Sequence, residues 1–177
     1  MNAKKIILSA FYDLLQRQSI NTISVSRIIE AAEVSKPTFY RYFYNKFDLL
    51  NQVFEDILAP MHEAGLRLTW REALQQTFMN IEANRAIFRN GFKAEEQFYL
   101  RNHTMQQIFE AAVVDMLRRK NVQIEEQAYF FSIRACVITH VAAMCGWALD
   151  NHRQQPEDIV ELLLGTLPAN LYPYFTE

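Results

Sequence analysis

Hydrophobic side chains recur every three or four residues along most of the chain, which is the spacing that places them on one face of an α-helix. The first segment with this spacing runs from Ala3 to about Gln18. Because no run of alternating apolar and polar residues competes with the helical pattern, we predict an all-α protein. The later helical segments cover residues 45–57, 69–82, 84–92, 95–120, 123–149 and 156–167.

Two of the predicted helices are short and lie close together between residues 24 and 43. Ser24 is a suitable N-cap for the first helix, and Ser35 is a suitable N-cap for the second. Helices with so short a connection must pack at a steep angle, so the sequence predicts a helix-turn-helix. The apolar faces carry Val25, Ile28, Ile29 and Ala32 on the first helix, and Phe39 and Phe43 on the second.

Charge is distributed unevenly along the chain. The 177 residues include 18 Lys and Arg and 20 Asp and Glu, for a net charge of −2. Residues 1–46 hold 7 of the basic residues but only 3 of the acidic ones, a local balance of +4, so the remainder carries −6. A basic end on an otherwise acidic protein is typical of a nucleic-acid-binding domain.

Residues 130–149 are apolar enough to raise the question of a membrane span. Arg134 and His140 lie within this stretch, and an Arg near the bilayer centre costs about 2.5–3.5 kcal/mol. We therefore expect a buried helix of a soluble protein with no membrane partner. Cys136 and Cys145 stand nine residues apart on this helix, too far for a disulfide, and no secretion signal precedes it. These features predict a cytoplasmic protein.

Residues 6–57 resemble the N-terminal domain of the TetR family of transcriptional regulators. The family has a Tyr-x-x-Phe-x-x-Lys signature after its helix-turn-helix, and here Tyr40-Arg41-Tyr42-Phe43-Tyr44-Asn45-Lys46 stands in that place, followed by Phe47-Asp48-Leu49-Leu50. Glu33 and Pro37 occupy positions where the family often has Gly. The resemblance implies a DNA-binding domain with a three-helix head at residues 1–60, its motif at 24–43, and a helical ligand-binding and dimerisation domain at 61–177.

The resemblance also implies that residues 36–42 enter the major groove. Lys36 and Arg41 are suited to guanine, and Arg41 is the better because its guanidinium can donate two hydrogen bonds. Lys36 has the alternative of being a solvated surface charge, and Tyr40 that of being half core. The remaining candidates are Pro37 and Thr38 for thymine methyl groups, and Ser24, Ser26, Tyr40, Tyr42 and Lys46 for phosphates, with Lys46 helped by the free N–H groups of the fourth helix.

The segment at residues 123–149 is apolar almost all round, so it must be covered on several sides. In the resembled family the last two long helices dimerise, and the domain holds an inducer pocket. We therefore predict a homodimer and an apolar or aromatic small-molecule inducer. The candidate ligand-binding residues, each of which has ordinary core packing as its alternative, are Phe78, Phe88, Phe92, Phe98, Met105, Phe109, Phe130, Arg134 and Met144.

Polar residues in the second domain suggest little other chemistry. Arg134 either pairs with a structural acid such as Glu110 or Asp115, or meets an anionic ligand group. Cys136 and His140 are four residues apart on one helix face, but no second close ligand pair supports a metal site. The sequence lacks a Gly-rich phosphate loop, a nucleophile elbow and a zinc-protease motif, so we predict neither an enzyme nor a cofactor.

These features together predict a DNA-binding transcriptional regulator. The resemblance favours a repressor that binds a palindromic operator as a dimer and is released by a small-molecule inducer. The alternative is a helical ligand-binding or protein-interaction module that no longer binds DNA. Loss of the basic and tyrosine positions in the recognition helix would favour that alternative, and here those positions are filled.

Overall fold

The computed structural model describes residues 2–64, 66–92, 98–123, 127–150 and 154–176, with the backbone alone at 98–103. Apart from an isolated bridge between Ala64 and Leu68 and a 3₁₀ turn at Ile20–Thr22, the regular structure of these residues is α-helical, which confirms the all-α prediction. The helices are α1 (Ala3–Arg17), α2 (Val25–Ala31), α3 (Lys36–Tyr42), α4 (Lys46–Ile57), α5 (Pro60–Glu63), α6 (Trp70–Ala83), α7 (Arg85–Gly91), α8 (Phe98–Arg119), α9 (Gln127–Leu149), α10 (Pro156–Gly165) and α11 (Tyr172–Thr176).

Helix starts follow the local signals in the sequence. The Ser24 and Ser35 hydroxyls accept hydrogen bonds from the backbone N–H groups of Arg27 and Thr38, as N-caps do. Thr69 and Glu72 form a reciprocal capping box at the start of α6, with side-chain to backbone bonds of 2.8 and 3.2 Å. Pro60 opens α5 rather than closing α4, because a proline fits the first turn of a helix.

Packing divides the chain into two compact units. The first comprises Met1–Asp56 and Asn84–Arg101, so it includes α7, which lies beyond the predicted boundary at residue 60. Helix α7 packs against α1, and Asn90 Nδ2 donates to the Leu15 carbonyl oxygen at 2.8 Å. A Cβ atom at Gly91 would lie 2.9 Å from Leu50 Cδ1, so glycine allows the close approach of α7 to α4.

The second unit comprises Ile57–Ala83 and Asn102–Glu177. Helix α6 is its centre and contacts α5, α9, α10 and α11. Trp70, at the start of α6, is buried and packs edge-on against Phe109 and Phe175, with ring centroids 6.2 and 4.8 Å away. Arg71 forms an ion pair with Glu161 of α10. The buried face of α9 is formed by Ile133, Cys136, Val137, His140, Val141, Met144, Trp147 and Ala148.

Candidate nucleic-acid interface

The turn between α2 and α3 places Glu33 in the left-handed region, with φ = 50°. The N–H of Glu33 donates to the Glu30 carbonyl at 3.1 Å, and that of Val34 donates to the Ile29 carbonyl at 3.2 Å. This pair of bonds is a Schellman motif, which stops α2 and redirects the chain into α3. Position 33, where the family often has Gly, therefore has a backbone conformation in which glycine carries no steric cost.

Helix α3 is anchored by its apolar residues and offers its polar residues to solvent. Phe39 is fully buried and Phe43 is nearly so, whereas Lys36, Pro37 and Arg41 are exposed. The aromatic ring of Tyr40 packs edge-on against that of Phe39, with centroids 5.3 Å apart, yet Tyr40 remains 49% exposed. Tyr40 therefore combines a core contact with an exposed surface, and its contact with a phosphate stays a prediction.

Arg41 and Tyr42 form an exposed pair at the end of α3. The guanidinium carbon of Arg41 lies 4.8 Å from the centroid of the Tyr42 ring, and Arg41 Nη2 donates to the Tyr42 hydroxyl at 3.1 Å. Stacking on an aromatic ring restricts the long Arg side chain and leaves its other N–H donors for an acceptor. Arg41 therefore presents its guanidinium in a restricted geometry.

Thr38 is half-buried, and Ser24 and Ser26 are exposed. The hydroxyls of Thr38 and Ser35 are 2.8 Å apart and form a hydrogen bond. Thr38 thus keeps its methyl group for an apolar contact while its hydroxyl is engaged within the turn. Ser24 accepts the capping bond from Arg27, which leaves its O–H free to donate.

The predicted phosphate contact of Lys46 depends on a free ammonium group and on free N–H groups at the start of α4. The structure engages both in hydrogen bonds within the protein. The Lys46 ammonium donates to the carbonyl oxygens of Ile20 and Ile23 at 2.7 and 2.8 Å, and partial burial lowers its pKa. The N–H groups of Phe47 and Asp48 are also engaged, because both donate to the Asn45 side-chain oxygen. These hydrogen bonds give Lys46 an internal structural role, which sequence spacing alone does not reveal because its partners lie over twenty residues away.

Tyr44 is a further exposed residue of this surface, and the sequence pattern did not predict a contact for it. Its side chain is 83% exposed, and its backbone N–H donates to Asp48 Oδ2 at 2.8 Å. The hydroxyl of a solvated tyrosine beside a basic helix is suited to a phosphate oxygen. An aromatic residue on the turn that follows the basic helix α3, outside the apolar pattern, is the signal that identifies it.

Arg27 differs from Arg41 in its environment. Its guanidinium donates to the Glu30 carboxylate on the next turn of α2, at 2.9 Å, so its charge is partly offset.

The predicted DNA-binding residues of α3 and the serines Ser24 and Ser26 are largely exposed within the first unit, while Lys46 is held by backbone carbonyls. Their contacts with DNA remain predictions.

The residues predicted to bind a ligand are divided between the two units. Phe88 and Phe92 belong to the first unit, where both rings pack on Phe54 with centroids 5.0 and 5.4 Å away. Phe130 and Arg134 are exposed on α9, and the side chain of Phe98 lies outside the described residues. The members buried in the second unit are Phe78, Met105, Phe109 and Met144.

Arg134 makes no ion pair with either acid proposed for it among the residues that the structure describes. It is exposed on the outer face of α9, and Asp115 instead lies 4.0 Å from Arg118 on α8. Because Arg134 faces outward, the structure does not place it in an interior pocket of this chain. The same is true of Phe130, which is 56% exposed.

Cys136 and His140 meet within the core, as their four-residue spacing predicts. His140 Nδ1 is 3.7 Å from Cys136 Sγ and 2.8 Å from the Cys136 carbonyl oxygen. Burial raises the pKa of the Cys136 thiol to about 12 and lowers that of His140 to about 4. Within the described residues no cluster of three or more potential metal ligands is present. Both cysteines are free thiols.

The geometry of the first unit defines a helix-turn-helix protein with an exposed cationic recognition helix. Residues 7–53 match the model of bacterial regulatory proteins of the tetR family, and residues 68–168 match that of a transcriptional regulator C-terminal region. The chain belongs to the TetR family of transcriptional regulators. The family resemblance drawn from residues 6–57 is thereby confirmed.

Relatives extend the similarity over both parts of the chain. The HTH-type dhaKLM operon transcriptional activator DhaS of Lactococcus lactis subsp. lactis (strain IL1403) is 27% identical over 173 residues, covering 93% of this chain and 90% of the relative. A solved structure described as the dihydroxyacetone kinase operon activator DhaS superimposes with a TM-score of 0.70 at 22% identity, with 98% of each chain covered. A TetR regulator from Streptococcus agalactiae 2603V gives a TM-score of 0.68 at 22% identity and 93% coverage of both chains.

Proposed function

We propose that the protein is a ligand-responsive transcriptional regulator that binds an inverted-repeat operator as a homodimer. The observation that carries this proposal is the exposed surface of α3, where Lys36, Tyr40 and Arg41 project from a helix whose apolar face is buried. A helix held in this way can enter the major groove while its exposed side chains contact base edges and phosphates. The alternative of a module that no longer binds DNA has no comparable support.

Side-chain chemistry indicates which part of the DNA each exposed residue would contact. Arg41, restricted by its stacking on Tyr42, is the candidate for a bidentate contact to guanine. Tyr40, Tyr42 and the additional candidate Tyr44 present hydroxyls for phosphate oxygens. Thr38 and Pro37 offer apolar surface to thymine methyl groups. Such phosphate contacts set the register of the protein, and the base contacts supply specificity.

An exposed apolar stripe on α9 supports self-association. Phe131, Ile138 and Leu149 are 63%, 47% and 45% exposed, and they repeat at helical spacing on the side opposite the buried face. The small exposed residues Ala135, Ala142 and Gly146 lie on the same stripe, and Leu162 adds an exposed apolar side chain on α10. A second copy of the chain would cover this surface in an isologous contact, and two copies of α3 would then read two half-sites.

Helix α9 also has the length and hydropathy of a membrane span, with one third of its most apolar window buried. The proposed contact between two copies accounts for the outer apolar face without a bilayer. We accordingly propose that the protein acts in the cytoplasm, where its DNA target is accessible.

The sign of regulation has two candidates. The family resemblance favours a repressor released by an inducer, whereas the relative that matches 93% of this chain is named as a transcriptional activator. A reporter gene placed behind the operator would separate these candidates, because deletion of a repressor raises expression and deletion of an activator lowers it.

The proposal is tested by selecting random duplex DNA on the purified 177-residue chain. An enriched inverted repeat, bound with an affinity that falls steeply with salt, is the expected result. Arg27→Ala is the matched control for Arg41→Ala, because both remove one arginine from an exposed position of the same unit. A protein that stays monomeric and enriches no sequence would contradict the proposal.

A further inference from the structure

The interior of the second unit contains polar atoms that lack hydrogen-bond partners. Within the described part of the chain, these are Trp70 Nε1, Thr77 Oγ1 and His140 Nε2, and the three residues are at most 1% exposed. A buried polar atom without a partner costs free energy, so native proteins hold few of them and usually satisfy them with water or a ligand. Three unpartnered polar atoms in the core of one unit therefore require an explanation.

Two of these atoms belong to rings that pack against each other. The rings of Trp70 and His140 have centroids 5.9 Å apart, yet neither Nε1 nor Nε2 has a partner. Thr77 lies seven residues further along α6, about 10 Å along the helix axis, so it is too far to share one small group with them. Trp70 and His140 are therefore the two unpartnered residues whose rings lie close together.

The hydrogen bond at the other nitrogen fixes the tautomer of His140. Nδ1 lies 2.8 Å from the Cys136 carbonyl oxygen, and a carbonyl can only accept, so the proton is on Nδ1. Burial keeps the imidazole neutral at pH 7 because it lowers the pKa of His140 to about 4. Nε2 is then a lone-pair acceptor, while the indole Nε1 of Trp70 is a donor.

A hydroxyl group is complementary to this pair, since its oxygen accepts from an indole N–H while its proton is donated to an imidazole nitrogen. The surrounding surface is aromatic: Phe109 lies against both rings, and Phe175 packs on Trp70 at 4.8 Å. A surface cavity of about 290 Å³, lined in part by Leu68, Met116, Tyr174 and Phe175, reaches Trp70 from outside. The lining of this cavity includes Trp70 but not His140, so the cavity touches one member of the pair.

We propose that Trp70 and His140 form the polar end of a binding site for a small, neutral molecule that has one hydroxyl group on an apolar body. The proposal rests on the proposed ligand-responsive function and names the chemical class of its effector. It adds one hydroxyl group to the apolar or aromatic inducer that the sequence predicts, because the site has one donor and one acceptor to satisfy.

The test compares phenol with toluene, which has nearly the same shape but no hydroxyl. The 177-residue chain contains two tryptophans, so its ¹H–¹⁵N spectrum contains two indole signals, and Trp70→Phe assigns them. Trp147 Nε1 already donates to the Gln154 carbonyl at 2.8 Å and serves as an internal control. We expect phenol to shift the Trp70 indole signal saturably, to leave that of Trp147 unchanged, and to bind about tenfold more tightly than toluene.

Two variants sharpen the test. Trp70→Phe keeps an aromatic ring but removes the donor, so the preference for phenol over toluene should fall. Thr77→Val removes a buried unpartnered hydroxyl elsewhere on α6, so phenol affinity should remain within about twofold of the wild-type value. If Trp70→Phe fails to fold, the wild-type titrations with the two probes still decide the outcome.

Equal affinity for phenol and toluene would overturn the proposal, because the site would then be a general apolar cavity. An unmoved Trp70 indole signal at saturating phenol would also overturn it. Operator binding by the ligand-free protein is measured separately, so failure to bind DNA would refute the proposed function even if phenol bound as expected.

Discussion

The ammonium group of Lys46 donates a hydrogen bond of 2.8 Å to the backbone carbonyl of Ile23, and a second, of 2.7 Å, to that of Ile20. These two bonds join the start of α4 to the turn that precedes α2. The lysine of the family signature is thus an internal connection of the first unit, in which two of its three N–H donors are engaged.

Replacing Lys46 by Met should lower the free energy of unfolding by about 1–2 kcal/mol, because two carbonyls lose a charged donor. Urea denaturation measures this loss, and Lys36→Met is the matched control because Lys36 is exposed. Equal stability of the two variants would contradict the structural role. A salt series of DNA affinities with the same variant tests the predicted phosphate contact. Loss of that contact would lower the slope of log affinity against log salt by about 0.9.

The Lys46 arrangement illustrates what the sequence can and cannot predict. Helix starts at Ser24, Ser35 and Thr69 were predictable because each cap depends on residues within three positions. The carbonyl partners of Lys46 were not, because they depend on how the chain folds back over more than twenty residues. Local hydrogen bonds leave a signature in spacing, and tertiary ones do not.

The predicted ligand residues show the same limit, and their contact with a ligand stays a prediction. Periodicity identifies apolar positions on α7 and α9, but it does not say which neighbour covers them. Phe88 and Phe92 pack on Phe54 in the first unit, and Phe130 lies on an exposed face. Periodicity also does not predict the unpartnered atoms of Trp70 and His140, because they depend on how α6 packs against α9.

Glu33→Gly should stabilise the first unit by about 1 kcal/mol. Glu33 has φ = 50°, a conformation that costs a side-chain-bearing residue energy that glycine avoids. Chemical denaturation of the full chain measures the change. Glu30→Gly is the control, because residue 30 lies within helix α2, where glycine should be destabilising. A loss of stability in Glu33→Gly would show that the turn tolerates Glu without strain.

Arg41→Ala should cost about 1–3 kcal/mol of specific DNA binding and relax the choice of base at one operator position. Arg27→Ala should change binding much less, because Arg27 pairs with Glu30 on α2. Affinities for the selected operator and for random duplex DNA provide the measurement. If the two variants weakened binding to both DNAs to the same extent, Arg41 would not be reading bases.

Stability should decrease in acid because of His140. Its pKa is lowered from 6.5 to about 4 in the folded protein, so folding favours the neutral imidazole. Below pH 6.5 the unfolded chain binds a proton that the folded protein does not, so the free energy of unfolding falls as the pH is lowered towards 4. The total loss corresponds to about 3 kcal/mol. Denaturation at several pH values should show a weaker dependence in His140→Gln than in the wild type. His62→Gln, which alters an exposed histidine, should leave the dependence unchanged.

Ile138→Arg should convert the protein to a monomer and weaken operator binding, if the outer face of α9 joins two copies. A charge in the middle of the apolar stripe would be buried without a partner at the symmetric contact, which is strongly unfavourable. Sedimentation measures the mass, and Met79→Arg is the matched control, because Met79 is an exposed apolar residue on α6. A dimer that persists in Ile138→Arg but dissociates in Met79→Arg would move the interface from α9 to the exposed side of α6.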